Sequence, residues 1–328
     1  MSEFKALLVS EEQGQFTRRV VLRRIDELPA GEVLIRVLWS SLNYKDALSA
    51  SGNRGVTRHY PHTPGIDAAG VVEASAVPEL VPGDEVIVTG YDLGMNTPGG
   101  FGQYIRVPAG WVLKRPAGLS LRESMVLGTA GLTAGLCIDK LQRAGLTADT
   151  GPVLVTGATG GVGSIAVAML AQQGYEVVAM TGKTDQADFL RGLGASEVIS
   201  REELQSGTGK MLLAERWAAA VDTVGGDILF NVVKSLRYDA SVACCGLTAG
   251  GQFQASVFPF ILRNVNLLGV DSVEQPLVAK ASMWDRLSLQ WKTDLSRLER
   301  EITLDQLSDH IDTILAGSMT GRAVVNLG

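Results

Sequence analysis

Val153-Leu154-Val155-Thr156-Gly157-Ala158-Thr159-Gly160-Gly161-Val162-Gly163-Ser164 is the stretch on which the reading of this chain turns. Three branched apolar residues make a short buried strand. The glycines at 157, 160, 161 and 163 make a turn, and the apolar run after Ser164 makes a helix over 164–173. Residues 150–175 carry no charge, enough to imitate a membrane span. The glycines in their middle and the Val/Leu-rich start assign them instead to a buried strand, a turn and a buried helix.

Glycine in such a turn lets backbone N–H groups approach a pyrophosphate and lets the helix pack close to the strand. The helix N-terminus adds a dipole that favours the anion. Strand, glycine turn, helix and a second strand over 176–180 arrive in the order that dinucleotide binding requires, against the plainer reading of a glycine turn with no ligand. The second strand then chooses between cofactors. An NAD site wants an acid at its end to accept bonds from the ribose hydroxyls. Here the strand ends Met180-Thr181-Gly182-Lys183. Thr181 offers a hydroxyl and Lys183 a cation that would attract a 2′-phosphate, which favours NADPH. The other reading of Lys183 is a solvated surface charge. Asp185 lies past the turn and reads as a cap of the next helix.

Outward from this corner, strands over 197–199, 219–223, 241–244 and 266–270 alternate with helices over 185–193 and 228–236. Such alternation predicts an α/β fold with a doubly wound parallel sheet. Toward the N-terminus the pattern changes. Short strands over 6–9, 32–38, 70–73, 85–89 and 103–107, with Pro64-Gly65 and Pro82-Gly83 turns, predict a mostly antiparallel barrel or sandwich. A helix is expected over 122–138, and a closing strand over 323–327. A length of 328 residues suits two domains. The net charge of -6 disfavours a nucleic-acid partner. Three cysteines give no disulfide framework and, with no basic-then-apolar leader, point to a reducing, cytoplasmic compartment and no membrane association. No cysteine stands at zinc spacing from His59, His62 or His310, and neither a Gly-x-Ser-x-Gly elbow nor a Walker motif occurs.

Further segments carry a resemblance. Ser41-Leu42-Asn43-Tyr44-Lys45-Asp46, Pro64-Gly65-Ile66-Asp67-Ala68-Ala69-Gly70 and Gly128-Thr129-Ala130-Gly131-Leu132-Thr133-Ala134, with the glycine turn, resemble the medium-chain dehydrogenase/reductase superfamily. Zinc-dependent members carry Gly-His-Glu where this chain has Gly65-Ile66-Asp67, so the resemblance is to the zinc-free, quinone oxidoreductase-like branch. Cys245-Gly246-Leu247, Pro259-Phe260-Ile261-Leu262-Arg263-Asn264 and Gly269-Val270-Asp271-Ser272-Val273 look like the acrylyl-CoA reductases (NADPH) within it.

The resemblance implies a Rossmann domain over 122–270 and a GroES-like catalytic domain formed by 1–121 with 271–328. It also implies a homodimer, no metal and an acyl-CoA substrate. It implies cofactor contacts at Tyr44, Thr159, Gly160, Gly161, Val162, Thr181, Gly182, Lys183, Arg201, Leu247, Ile261 and Ser272. Arg201 either reaches the 2′-phosphate beside Lys183 or is a surface arginine next to Glu202 and Glu203.

The chemistry implied is hydride addition to the electron-poor β-carbon of a conjugated thioester, with charge developing on the thioester oxygen. Tyr44, expected in a loop after the 32–38 strand, is the candidate catalytic donor: it orients the cofactor, bonds the developing enolate or gives a proton. Asn43 is placed beside it as an amide donor. Arg54, Arg58 and Arg263 are either CoA-phosphate ligands or, the plainer reading for each, ordinary surface charges. A quinone or another conjugated carbonyl as acceptor, and a non-catalytic NADPH-binding protein, are the competing readings.

Overall fold

The computed structural model describes residues 3–207 and 209–328. The first third holds strands β1 (Glu3–Glu12), β2 (Gln15–Arg24) and β3 (Val33–Leu42), helix α1 (Tyr44–Ala50), and strands β4 (Asp67–Ser75), β5 (Glu85–Thr89), β6 (Tyr104–Val107) and β7 (Val112–Lys114). Helix α2 (Leu121–Arg143) follows, then an alternating run. This comprises β8 (Val153–Val155), α3 (Gly161–Gln172), β9 (Val177–Thr181), α4 (Ala187–Gly192), β10 (Glu197–Ser200), α5 (Arg201–Gln205), β11 (Trp217–Asp222), α6 (Gly226–Ser235), β12 (Leu236–Cys244), α7 (Phe258–Arg263) and β13 (Asn266–Gly269). The tail is α8 (Leu277–Ser288), β14 (Glu299–Thr303), α9 (Leu307–Leu315) and β15 (Arg322–Asn326).

The chain divides into two compact units. One comprises Met1–Thr129, Ser272–Gln290 and Leu298–Gly328, and the other Ala130–Asp271 and Trp291–Arg297. The first crossing thus falls at Thr129 rather than at 121, one residue past a break in α2 where Gly128 adopts φ 52°. The short segment Trp291–Arg297 packs with the second unit, inside a stretch expected to belong wholly to the first.

In the second unit six parallel strands are ordered β10-β9-β8-β11-β12-β13. The order reverses between β8 and β11, the topological switch point at which such sheets bind ligands beyond their strand ends. Strands β8, β9 and β11 are buried at every residue, which is why they read as unbroken apolar runs rather than alternating ones. In the first unit the sheet runs β14-β15-β3-β4-β5-β7, with β6 also on β3. Its neighbours are antiparallel except β14 and β15. β1 and β2 form a separate hairpin. Val33, Ile35 and Val37, the alternating apolar set of β3, lie in this unit's core with Leu42, Val88, Phe101 and Val325.

Several elements go beyond the sequence expectation, β7, α5 and α7 among them. β2 is polar along most of its length, β14 is a charged edge strand, and α1 stands where a loop was expected, so Tyr44 is the first residue of a helix. β12 also begins earlier than 241. Its register against β11 jumps between Trp217–Leu236 and Ala219–Ser241, so residues 237–240 bulge from the ladder, with Asp239 at φ 65°.

A Cβ at position 163 would lie 2.3 Å from the Gly157 carbonyl oxygen, a backbone atom that cannot move aside alone. Gly163→Ala is therefore expected to push α3 from β8, to cost about 1–3 kcal/mol and to weaken dinucleotide binding. Gly110→Ala, where nothing lies within 4 Å, should be near neutral. Melting temperatures of the two variants check this; equal shifts would remove the packing argument.

Candidate functional site

The carboxyl-terminal edge of the second unit's sheet is stitched before any ligand is considered. Thr156, just past β8, donates its hydroxyl to Asp222 Oδ1 at 2.7 Å and accepts the Thr223 N–H at 3.0 Å. Thr223 Oγ1 donates to the Thr156 carbonyl at 2.8 Å, and the Gly225 N–H donates to Asp222 Oδ2 at 2.8 Å. The ends of β8 and β11 are thereby locked side by side. Burial pushes the Asp222 carboxyl above the usual range, against the pull of these hydrogen bonds. Sequence reasoning passed over Thr156, Asp222 and Thr223. A lone acid ending an apolar strand, followed by Thr-Val-Gly-Gly, was the available signal.

On this edge the turn from Gly157 delivers Gly160 as the residue preceding α3, with Gly161 and Val162 in its first turn. The side chains of Thr159 and Thr181 are buried and 3.3 Å apart at Oγ1, joining the glycine turn to the end of β9. Thr181 Oγ1 also accepts the Lys183 N–H at 2.9 Å, which shapes the turn leaving β9. At Gly182 a Cβ would meet Arg201 Nε and Cζ at 3.2 Å, so the Arg201 side chain lies flat against a glycine backbone. The ammonium of Lys183 is lowered from its ordinary pKa, first by burial and then by the nearby Arg201 cation, against the opposing pull of Asp185. Asp185 itself accepts from Gln186 at 2.8 Å rather than standing as the cap of α4.

The structure thus brings Thr159, Gly160, Gly161, Val162, Thr181, Gly182, Lys183 and Arg201 together on one edge. Arg201 is in no ion pair among the described residues, so this corner offers positive charge to an incoming anion. A dinucleotide with a 2′-phosphate fits it: backbone donors and a helix N-terminus at the glycine turn, and one cation just past each of β9 and β10. Leu247 follows β12 in a loop tied to the turn after β11 by the bond from Ala249 N to Val224 O at 2.7 Å. Ile261 stands exposed on α7.

The other candidates lie in the first unit. Asn43 precedes α1, and its backbone N–H donates to Asp46 Oδ2 at 2.8 Å, the box that starts the helix. Its side-chain nitrogen donates to Asp67 Oδ2 (2.8 Å), Asp46 Oδ2 (3.2 Å) and the Ser41 carbonyl (3.4 Å), leaving no free amide donor. Its oxygen accepts from Arg322 Nη1 at 3.2 Å. Tyr44, half-buried, comes next. Burial and the neighbouring Asp67 carboxylate push the Asp46 carboxyl up to about 7, against its bonds from Asn43 and Ile66. Ser272 is buried elsewhere in the unit, one residue before Val273, whose carbonyl holds Lys280 Nζ at 2.8 Å.

The three arginines considered for CoA are placed differently. Arg263 is spent on the carbonyls of Lys234 and Leu213, both at 2.7 Å, and on Glu215 at 3.3 Å. Arg54 binds the Arg58 carbonyl at 2.6 Å, pairs with Glu11 and stacks over Tyr60. Arg58 is exposed. Among the described residues no group of three or more His, Cys, Asp or Glu could hold a metal ion, and no helix is long and apolar enough to cross a membrane.

Residues 29–117 match the alcohol dehydrogenase GroES-like domain family, and residues 161–288 the zinc-binding dehydrogenase family. The chain is 46% identical over 326 residues to a putative quinone oxidoreductase of Bacillus subtilis, covering 99% of each. That protein's structure with NAD bound superposes with a TM-score of 0.96 over 100% of both chains. Identity to an acrylyl-CoA reductase of Ruegeria pomeroyi is 44% over 327 residues, again 99% of each. An oxidoreductase of Salmonella enterica in complex with NADP superposes with a TM-score of 0.95 at 41% identity, over 99% of this chain and 100% of that one.

Lys183→Glu should weaken NADPH about 100-fold, the loss of one charge-assisted contact and gain of a repulsion, while NADH affinity stays within about twofold. Titration of both nucleotides by fluorescence tests it, and equal losses would remove Lys183 from the phosphate site. Asp46 binds its proton more tightly folded than unfolded, where an aspartate titrates near ~3.9. Between about pH 4 and about 7 stability from this group therefore falls as pH rises, and above that window the loss is complete. The melting temperature of Asp46→Asn relative to the parent should climb across that interval and then level; a difference independent of pH would contradict the buried-carboxyl account.

Proposed function

Since the chain belongs to the medium-chain dehydrogenase/reductase superfamily, a family of oxidoreductases, we propose that it reduces the carbon–carbon double bond of acrylyl-CoA, or of a close enoyl-CoA, with NADPH. The observation that carries this reading is the cationic corner made by Lys183 after β9 and Arg201 after β10, in a chain that matches an acrylyl-CoA reductase over 99% of its length. NADPH fits the residues present, and when bound it supplies the hydride for the β-carbon of the thioester.

The chain's own residues do the rest. The glycine turn and the start of α3 take the pyrophosphate, and Lys183 and Arg201 take the 2′-phosphate. Tyr44, through its ring, and Leu247, Ile261 and Ser272 complete the cofactor contacts in this proposal. Tyr44 donates its phenol O–H to the thioester oxygen as negative charge develops there. Asn43, whose amide is already committed within the protein, serves by fixing the start of α1 rather than by touching substrate. The homodimer implied by the family resemblance and the cytoplasmic setting expected from the sparse cysteines stand as part of the same proposal.

A second reading has its own support: the Bacillus subtilis relative carries the name of a quinone oxidoreductase. Both acceptors are conjugated and take hydride at carbon or oxygen, so kinetics must separate them. Steady-state kcat/KM with NADPH should be at least about 100-fold higher for acrylyl-CoA than for simple benzoquinones, a margin consistent with binding energy from the CoA moiety. The reverse ranking would replace the substrate assignment, and binding of NADPH with no turnover of either acceptor would remove the enzyme reading. Tyr44→Phe should lower kcat about 100-fold with little change in NADPH affinity, the usual scale for one lost donor to a developing oxyanion.

A further inference from the structure

Beneath Tyr44 lies a cluster of charges that the proposed chemistry does not use. Asp46, Asp67 and Arg322 are each 2% exposed or less. A guanidinium and an acid in such a place would ordinarily pair directly, because an unpaired buried charge is costly. Here no ion pair within 4 Å joins Arg322 to either acid among the described residues. The Asn43 amide stands between them instead. Its nitrogen faces both acidic side chains and its oxygen faces the guanidinium.

This arrangement admits one orientation of the amide. A flipped Asn43 would set its oxygen against the Asp67 carboxylate and its NH2 against the Arg322 cation, turning two attractions into repulsions. The remaining bonds hold the charges themselves still. Asp67 accepts from Ser41 Oγ at 2.6 Å, from Thr129 Oγ1 at 2.6 Å and from Thr129 N at 2.9 Å. Arg322 Nε and Nη1 donate to the carbonyls of Val126 at 3.0 Å and Leu42 at 3.3 Å. Gly128 closes the cluster: a Cβ there would strike Asp67 Oδ2 at 2.5 Å and Ser41 Oγ at 2.6 Å, and would sit 3.0 Å from Arg322 Nη2. Asp46, on the third residue of α1, ties the same amide to the helix and to the Ile66 N–H at 2.8 Å.

We propose that Asp67 and Arg322 are positioning residues for Tyr44: by locking the Asn43 carboxamide between opposite charges they fix the first turn of α1, and with it the direction of the phenol. The proposal rests on the reading of Tyr44 as the donor to the developing oxyanion. It reaches beyond that reading by assigning the directing force to two residues on β4 and β15, distant in sequence from Tyr44.

A kinetic double-mutant cycle tests it in the full-length protein with NADPH and acrylyl-CoA. Asp67→Asn is expected to lower kcat about tenfold, the scale of a small misplacement of a reacting group, with the NADPH dissociation constant within about twofold of the parent. In a Tyr44→Phe background the same substitution should lower kcat less than about twofold, because the group it directs is gone. If Asp67→Asn costs the same factor in both backgrounds, the positioning role is overturned while Tyr44 keeps its own. If Tyr44→Phe alone leaves kcat unchanged, the reading of Tyr44 fails and the proposal fails with it. A parallel loss of NADPH affinity in Asp67→Asn would mark a general disturbance and also overturn the role. Should Asp67→Asn not fold, Arg322→Lys, which keeps the charge but not the fork that reaches Asn43 and Leu42, carries the same cycle: a loss confined to the Tyr44 background supports the role, and an equal loss in both overturns it.

Discussion

A parallel sheet buried on both faces has no place for polar groups except at its strand ends, and the bond from Thr156 to Asp222 fixes where those ends lie. With Thr223 and Gly225 it locks β8 beside β11 at the point where strand order reverses. The glycine turn then starts from a fixed platform, and α3 leaves it with its N-terminus toward the edge. A loose platform would blur the backbone donors that a pyrophosphate needs at close range. The raised Asp222 carboxyl shows that burial outweighs its three hydrogen-bond donors. Rigidity at the crest is held against a desolvation cost.

From that platform, selectivity reduces to what stands at the ends of the next two strands. β9 ends in Thr181, Gly182 and Lys183, and β10 runs directly into Arg201 at the start of α5. Gly182 has no side chain, so Arg201 lies against its backbone and near the Lys183 ammonium. Two like charges held near each other lower the affinity of one of them for its proton, an arrangement that an anion relieves. The same edge with an acid at 182 or 183 would repel a phosphate, and on this contrast, rather than on the glycine turn, the proposed choice of NADPH rests.

What could be read in the sequence follows from the range of the forces involved. The nucleotide corner was legible because strand, turn and helix signals coincide within about twenty residues, each with its own physical cause. β5 was legible for the same reason, a compact apolar run between turn signals, and its bounds are those expected. β2 and β14 were not, since Gln15–Arg24 and Glu299–Thr303 carry many charges and gain their strand state from a partner rather than from their own pattern. α1 is too short for periodicity to show, although Asn43 and Asp46 three residues apart were a capping signature in plain view. The cluster at Asn43 was beyond reach: Arg322 contacts a residue 279 positions away. Only folding places it there.

The two units therefore handle charge in opposite ways. The second leaves its cations at an edge where a ligand can meet them. The first buries two acids and a guanidinium and joins them through one amide. Well-packed apolar residues would serve stability at least as well as such a cluster, because desolvation offsets most of what the charges return. A buried polar network does confer a single answer where an apolar core tolerates several, since each member has only one set of partners that leaves nothing unsatisfied. Arg322 Nη2, with no hydrogen-bond partner among the described residues, is the exception within that network. The element so fixed is the short helix that begins at Tyr44, which is the element the proposed chemistry needs held still.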